Sequence, residues 1–506
     1  MKTHFGKGRF VLFALAPLVV LPLILYPNIM DAHHPEVAYT AAVALLMALW
    51  WMSEVIPLAV TSLVPVAAFP LLGIMNGKHV ASQYFNHIIF LFIGGFLVAL
   101  AMEKWNLHRR IALRILMTTG TTPAKILLGF MLATAFLSMW ISNTATTMMM
   151  VPILLSIMTK MSEFQKTKTA EQIEKSVLLG IAYAASIGGI ATLIGTPPNP
   201  LFVRIFKIHF PQGPEISFAR WMLFALPLSV VLLVVAYVYL YGVFLRKHSF
   251  QYANKEIIRD EYRAMGPMRY EEKWVFGLFV TLALLWLFRK PIDVGKVHIP
   301  GWSELFAHPS WITDGNVAMF IGILLFLIPA RDKTRGYFLM DWKTAERIPW
   351  GIILLFGGGF ALAAGFKESG LSAWIGERLT GLQHVHPLFI LLIITTTITF
   401  LTELTSNTAT VETFLPVLAA MAVAMKVNPL FLMVPATIAG SFAFMLPVAT
   451  PPNAIVFGTG KLRISDMIRA GIWMNLVGIV VLTLTAYFYM RWIFDIDFNS
   501  LPVWAH

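Results

Sequence analysis

The 506-residue sequence contains no cysteine, which excludes disulfides, thiolate metal sites and cysteine nucleophiles. Charge is scarce too. Asp, Glu, Lys and Arg make up 13% of residues, against about 25% in an ordinary soluble domain. Hydrophobic residues reach 58% and the mean hydropathy is +0.73, so most of the surface has to face lipid. Apolar runs at 11–26, 274–288, 317–330 and 472–490 each approach the roughly 20 residues that cross a bilayer as a helix.

These runs predict an all-α polytopic membrane protein. Spans fall near 9–27, 37–56, 58–75, 84–103, 176–208, 218–245, 274–290, 313–330, 349–366, 428–459 and 470–490, which makes eleven crossings. The first follows Lys2, Lys7 and Arg9, as a secretory signal would. It is long for a signal, contains Pro17 and Pro22 and lacks a small-residue cleavage site, so it reads as a retained span. The net charge of +12 fits lipid topology better than nucleic acid. Lys and Arg concentrate in 104–125, 160–175, 246–273 and 331–347, which become cytoplasmic loops when the N-terminus is inside.

Two further apolar stretches, 123–159 and 386–425, are broken midway by Ser142-Asn143-Thr144 and Ser406-Asn407-Thr408. They read as re-entrant hairpins. Counting the first as a crossing would put the basic cluster of 246–273 outside, against the positive-inside rule.

The chain repeats itself. Phe92-Ile93-Gly94-Gly95-Phe96 returns 264 positions later as Phe356-Gly357-Gly358-Gly359-Phe360, and Ser142-Asn143-Thr144-Ala145-Thr146 returns at the same offset as Ser406-Asn407-Thr408-Ala409-Thr410. Thr196-Pro197-Pro198-Asn199 returns 254 positions later as Thr450-Pro451-Pro452-Asn453. Three motifs in one order indicate duplication. With one hairpin opening inside and the other outside, the repeats are inverted. The expected organisation is an N-terminal span (1–36), a first repeat (37–250), a cytoplasmic linker (251–273) and a second repeat (274–506).

A Pro-Pro break inside an apolar span is tolerated where the freed backbone lines a cavity. Two such breaks and two hairpin tips at matching positions point to one central binding site. Each tip starts a half-helix whose N-terminus attracts anions, with Ser and Asn suited to capping it. Two opposed tips suit a solute with an anionic group at each end. No Lys or Arg occurs in 126–159, 176–203, 379–425 or 427–460, so mobile cations are the natural compensation for a buried dianion. The available oxygen ligands suit sodium. Glu403 and Glu412 are the carboxylates in these segments; an orienting role for the second hairpin is preferred to proton carriage. His384 and His386 read as interfacial.

These residues resemble the divalent anion:sodium symporter (DASS) family of INDY-type dicarboxylate and citrate carriers. The resemblance includes Trp51-Met52-Ser53-Glu54-Val55-Ile56-Pro57-Leu58-Ala59-Val60-Thr61 and covers nearly the whole chain. It implies substrate contacts from Ser142, Asn143, Thr144, Ser406, Asn407 and Thr408, with Thr196, Pro197, Thr450 and Pro451. It implies one sodium site from Ser138, Ser142, Asn143 and Gly195, and a second from Thr402, Ser406, Asn407 and Ala449. It also implies sodium as coupling ion without an organic cofactor, and a homodimer in the bacterial inner membrane. Its scaffold domains would hold still while transport domains move as elevators, linked by arms at 104–118 and 367–380. A sodium-independent exchanger and a citrate or sulfate carrier of the same fold remain alternatives. A membrane enzyme pairing Glu403 with His384 is disfavoured, because the candidate core offers no metal cluster, nucleophile–base pair or phosphate loop.

Overall fold

The computed structural model describes residues 7–120, 122–162, 168–246, 255–294, 297–379, 381, 385–497 and 500–505. His384 lies outside the described residues.

The chain opens with α1 (Lys7–Leu25) and α2 (Pro35–Ser53), followed by the short α3 (Leu58–Thr61) and α4 (Val64–Leu71). The first set of repeated motifs then falls on α5 (Gly77–Tyr84), α6 (His87–Lys104), α7 (Leu107–Thr119), α8 (Pro123–Ser138), α9 (Asn143–Ser162), α10 (Lys168–Ile190), α11 (Pro198–His209) and α12 (Phe218–Leu240). After α13 (Lys255–Ala264) come α14 (Tyr270–Leu287), α15 (Asp314–Leu327) and α16 (Trp342–Ala345). The second set falls on α17 (Trp350–Glu368), α18 (Leu371–Arg378), α19 (Pro387–Thr402), α20 (Asn407–Ala424), α21 (Pro429–Ala439), α22 (Pro451–Gly458) and α23 (Ile464–Phe488), and α24 (Met490–Phe494) follows. One departure from an all-α chain is a small antiparallel pair, β1 (Ile292–Val294) with β2 (Val297–Ile299), between α14 and α15.

Lipid-facing surfaces are legible in the burial pattern. Along α23, Ile472, Leu476, Val480, Leu484 and Phe488 are all exposed. A spacing of four residues puts them on one helical stripe, and an apolar stripe of that length turned outward fits hydrocarbon, not water. The chain is therefore a multi-pass membrane protein.

The same helix sequence forms around each motif set because the same breakers recur. Pro123 and Pro387 open the two hairpins at the first helical position, where a missing N–H does no harm. Each first arm stops five positions before its Asn, and the second arm begins at Asn143 or Asn407. The Pro-Pro pairs do the same for the broken spans: α10 ends at Ile190 and α11 restarts at Pro198, while α21 ends at Ala439 and α22 restarts at Pro451. The stretches 191–197 and 440–450 between them are non-helical.

One polar knot ties loops outside the site. Arg289, 1% exposed, donates from Nε to Asp314 at 2.5 Å, from Nη2 to Glu215 at 2.5 Å and from Nη1 to the Ile312 carbonyl at 2.8 Å. Lys290 also pairs with Glu215. Removing one partner from such a buried pair costs about 3–5 kcal/mol, since the other charge is left uncompensated. Arg289→Met is therefore expected to lower the unfolding temperature of the detergent-solubilised protein by several degrees. An unchanged temperature would show the knot to be dispensable.

The proposed arm at 104–118 corresponds to α7. Its Arg110 is not interfacial: it is buried, and its guanidinium reaches both carboxyl oxygens of Glu272 at 3.1 and 2.9 Å. The segment 367–379 contains α18, whose Arg378 lies over the Trp374 ring.

Candidate functional site

The first hairpin tip is organised around Asn143. One terminus of its amide lies 2.6 Å from Ser138 Oγ, 3.1 Å from the Ala185 carbonyl and 3.2 Å from the Gly195 carbonyl. With the NH2 turned in, it donates to both carbonyls. With the oxygen turned in, four oxygens face one point, an arrangement that a cation satisfies and hydrogen bonds do not. Ser138 Oγ also donates to the Ala185 carbonyl at 2.7 Å. Close approach requires glycine here: a Cβ on Gly195 would sit 2.5 Å from the Gly189 carbonyl and 2.8 Å from that of Ser138, and one on Gly189 would strike the Asn143 amide. Ser142 Oγ accepts from Ala145 N at 3.2 Å and so caps α9.

The second tip repeats the pattern with different side chains. Thr402 Oγ1 donates to Asn407 Oδ1 at 2.7 Å and to the Gly440 carbonyl at 3.0 Å. Ala449, expected in this set, takes part in neither bond. Ser406 differs from the expectation of a side-chain cap: it occupies the N-cap of α20, but its hydroxyl makes no cap bond. That hydroxyl is half-buried and free of the cap role that holds Ser142. Thr450 Oγ1 caps α22 by accepting from Asn453 N at 3.3 Å, whereas Thr196 contributes its carbonyl to Asn199 N.

Asparagines of the broken spans hold the unwound backbone. Asn199 Nδ2 donates to the carbonyls of Gly189, Ile190 and Thr192, the last at 2.6 Å. Asn453 Nδ2 donates to those of Ala443 and Leu446, both at 3.0 Å. Buried backbone freed from a helix needs such partners. Glu403 does this for the second half alone, accepting from the N–H groups of Phe444, Met445 and Leu446 at 2.7, 2.8 and 3.0 Å and from Asn475 Nδ2 at 2.7 Å. Its carboxylate thus joins the second hairpin to the unwound stretch and to α23. The equivalent position in the first half is Met139, where Thr192 Oγ1 instead donates to the backbone carbonyl at 2.5 Å. Among the residues not foreseen, Thr192 and Asn475 matter most. A lone amide in the apolar run of α23 was the available signal for Asn475.

The two halves interlock. The hairpin arm α9 packs on α22 and α10, and the arm α20 packs on α11 and α21. Four helix N-termini, those of α9, α11, α20 and α22, therefore belong to one packed unit. Among the described residues, no Lys or Arg hydrogen-bonds to 138–144 or 402–408. His386 lies apart from this unit, where its ring caps α19 by accepting from Leu388 N.

The packing around this unit is lopsided. Among the described residues, the arm α20 lies against α2 and α17, but α9 has no comparable packing against α14 or α6. The broken-helix segment α11 likewise packs on α17. One side of the interlocked unit is thus sealed and the other is not.

Duplicated hairpins and broken spans, interlocked within a lipid-facing shell of helices, define a polytopic membrane transporter. The chain belongs to the family described as "Sodium:sulfate symporter transmembrane region", whose profile matches residues 8–496. It is 45% identical over 506 residues to the sodium-dependent dicarboxylate transporter SdcS of Staphylococcus saprophyticus, covering 99% of this chain and 95% of that one. With SdcS of Staphylococcus aureus strain NCTC 8325 it shares 44% identity over 509 residues, with the same coverage. Its fold is similar to that of the Alcanivorax borkumensis YdaH transporter, with a TM-score of 0.56, 13% identity and coverage of 82% of this chain and 87% of that one. Neisseria gonorrhoeae MtrF gives a TM-score of 0.54 at 12% identity, with 84% of each chain covered.

Proposed function

We propose that the protein carries a C4-dicarboxylate across the bacterial cell membrane together with sodium ions, by alternating access of the elevator type. The carrying observation is the paired clamp: a hydroxyl one helical turn before each tip, Ser138 or Thr402, bonds both the tip asparagine and a backbone carbonyl of the broken span, Ala185 or Gly440. Sodium in these clusters would supply positive charge beside a dianion where the chain itself supplies none. Ser138, Ser142, Asn143 and Gly195 make the first set. Thr402, Ser406, Asn407 and Ala449 make the second, with the Gly440 carbonyl bonded to Thr402 as that of Ala185 is to Ser138. The substrate would sit between the tips against Ser142, Asn143, Thr144, Ser406, Asn407 and Thr408, flanked by Thr196, Pro197, Thr450 and Pro451. Helix N-termini would face its carboxylates. That these relatives are sodium-dependent dicarboxylate transporters supports this reading.

The lopsided packing supports alternation. Hairpin two packs against α2 and α17, while hairpin one lacks the equivalent packing among the described residues. With the N-terminus inside, the open side is cytoplasmic and the state is inward-facing. A homodimer in the lipid bilayer, with α2, α6, α14, α15 and α17 in the static part, completes the proposal.

Uptake of labelled succinate into proteoliposomes, with external sodium varied and citrate and sulfate as competitors, tests it. Uptake that rises with the sodium gradient and is competed by other C4-diacids supports the reading. Counterflow independent of sodium would favour an exchanger, and stronger competition by sulfate than by malate would favour an inorganic-anion carrier. Ser138→Ala removes one oxygen of the first cluster while leaving Asn143 in place. It is expected to raise the sodium concentration giving half-maximal uptake by about tenfold, the equivalent of one lost ligand worth ~1.4 kcal/mol, with little change in the maximal rate at saturating sodium.

A further inference from the structure

Equivalent positions of the two halves lie in opposite environments. The notch at Gly359 of α17 is filled by Glu412 of α20: a Cβ on that glycine would meet the carboxyl carbon at 2.7 Å. The notch at the equivalent Gly95 of α6 faces Ile194, 3.6 Å from such a Cβ. Across the repeat, Glu412 corresponds to Met148 and Ile194 to Val448. Met148 is 61% exposed and Val448 82% exposed, whereas Glu412 is fully buried. One notch therefore holds a hairpin residue and the other a broken-span residue. In a duplicated carrier, alternation exchanges the roles of the two halves. The exchange seats Met148 at Gly95 and Val448 at Gly359, and it turns Glu412 out to the exposed position that Met148 has now.

Glu412 is a poor residue to bury as an ion. Neither carboxyl oxygen has a hydrogen-bond partner among the described residues. The elements packed on α20 are α2, α11, α17, α18, α19 and α21, and most of their charged groups have other partners. Glu36 pairs with His34, Glu368 with His79, Arg204 with Gln83, and Lys207 and Lys367 with backbone carbonyls. Glu377 and Arg378 lie on α18, and the Arg378 guanidinium donates to the Trp374 carbonyl. His209 closes α11, and Glu403 follows α19 with its four donors. Tyr39 lies on α2. The nearby Tyr84 phenol donates to the Ser62 carbonyl. An isolated carboxylate in such a place is far costlier than the neutral acid, whereas one that water reaches through the open side of hairpin one's counterpart state ionises freely.

We infer that Glu412 is a proton-binding site carried by the second hairpin: it holds a proton while seated in the Gly359 notch and releases it to solvent when the carrier turns over. Protons and sodium then act on the same alternation. The inference rests on the alternating-access reading above. Because the proton is bound in the present state, rising pH depopulates that state, with a limiting slope of about tenfold per pH unit in the ratio of the two states.

The absence of cysteine makes the test direct, since Met148→Cys introduces a single thiol on the face exposed in this state. Full-length protein carrying it, in lipid nanodiscs, is labelled with a hydrophilic maleimide from mildly acidic to mildly alkaline pH. Rates are divided by those of the same thiol in Glu412→Gln and Glu412→Met backgrounds, which cancels the titration of the thiol itself. The ratio is expected to fall with pH towards that slope against both backgrounds. Coincident profiles with and without Glu412, in protein whose labelling still responds to sodium plus succinate, overturn the proton site alone. Labelling that responds to sodium and succinate in no background overturns alternating access, and the proton site with it.

Discussion

Alanine at Asn143 or at Asn407 is expected to reduce sodium-driven succinate uptake by about a hundredfold, corresponding to ~3 kcal/mol for a contact to charged groups. Each asparagine serves two partners at once in the proposed cycle. Its amide lies within the hydroxyl and carbonyl cluster, at 2.6–3.2 Å in the first half, and its backbone N–H begins the half-helix that faces the solute. Alanine preserves the second function and removes the first, so the loss reports the side chain. The check is initial uptake in proteoliposomes, normalised to reconstituted protein. Near-normal uptake by both variants would remove the site from the tips. A Ser at either position would retain one oxygen donor and is expected to fall between alanine and the native residue.

Glu403→Gln is expected to be nearly as damaging for another reason. The carboxylate accepts from three consecutive backbone N–H groups and from Asn475. A glutamine of the same shape turns an NH2 towards those donors and can accept at one oxygen only. Buried donors then lose partners, at about 1–3 kcal/mol each. Because these donors lie in the unwound stretch between α21 and α22, the loss should appear both as a lower unfolding temperature and as weaker uptake. The first-half counterpart, Met139, has no such duty, and Met139→Leu is expected to be mild. Unfolding temperature and uptake both unchanged in Glu403→Gln would show that the second tip is oriented by packing alone.

Much of the architecture is legible in the sequence. The apolar runs marked the spans, and the two Ser-Asn-Thr clusters and two Pro-Pro pairs marked where helices stop, because proline lacks an N–H and short polar side chains cap. The preference for an orienting rather than proton-carrying Glu403 agrees with its four donors. Less readable were partners distant in sequence. Asn475 meets Glu403 from 72 positions away, and Arg110 meets Glu272 from 162. Neither pairing leaves a local pattern. The side-chain cap expected of Ser406 is absent although its motif matches that of Ser142 and its backbone is extended as an N-cap requires, since the motif does not set where the hydroxyl turns.

Composition and periodicity by themselves determined that this chain lives in a bilayer, is duplicated and breaks its helices at four matched points, because each of those properties is a local consequence of which residues carry apolar surface, a cap or a missing N–H. Tertiary structure alone decided which of two matched positions is buried. Met148 and Glu412 occupy the same place in their motifs, yet one is exposed and the other sealed against Gly359. A duplicated sequence describes both halves alike, and only the packing of helices from distant parts of the chain breaks that symmetry.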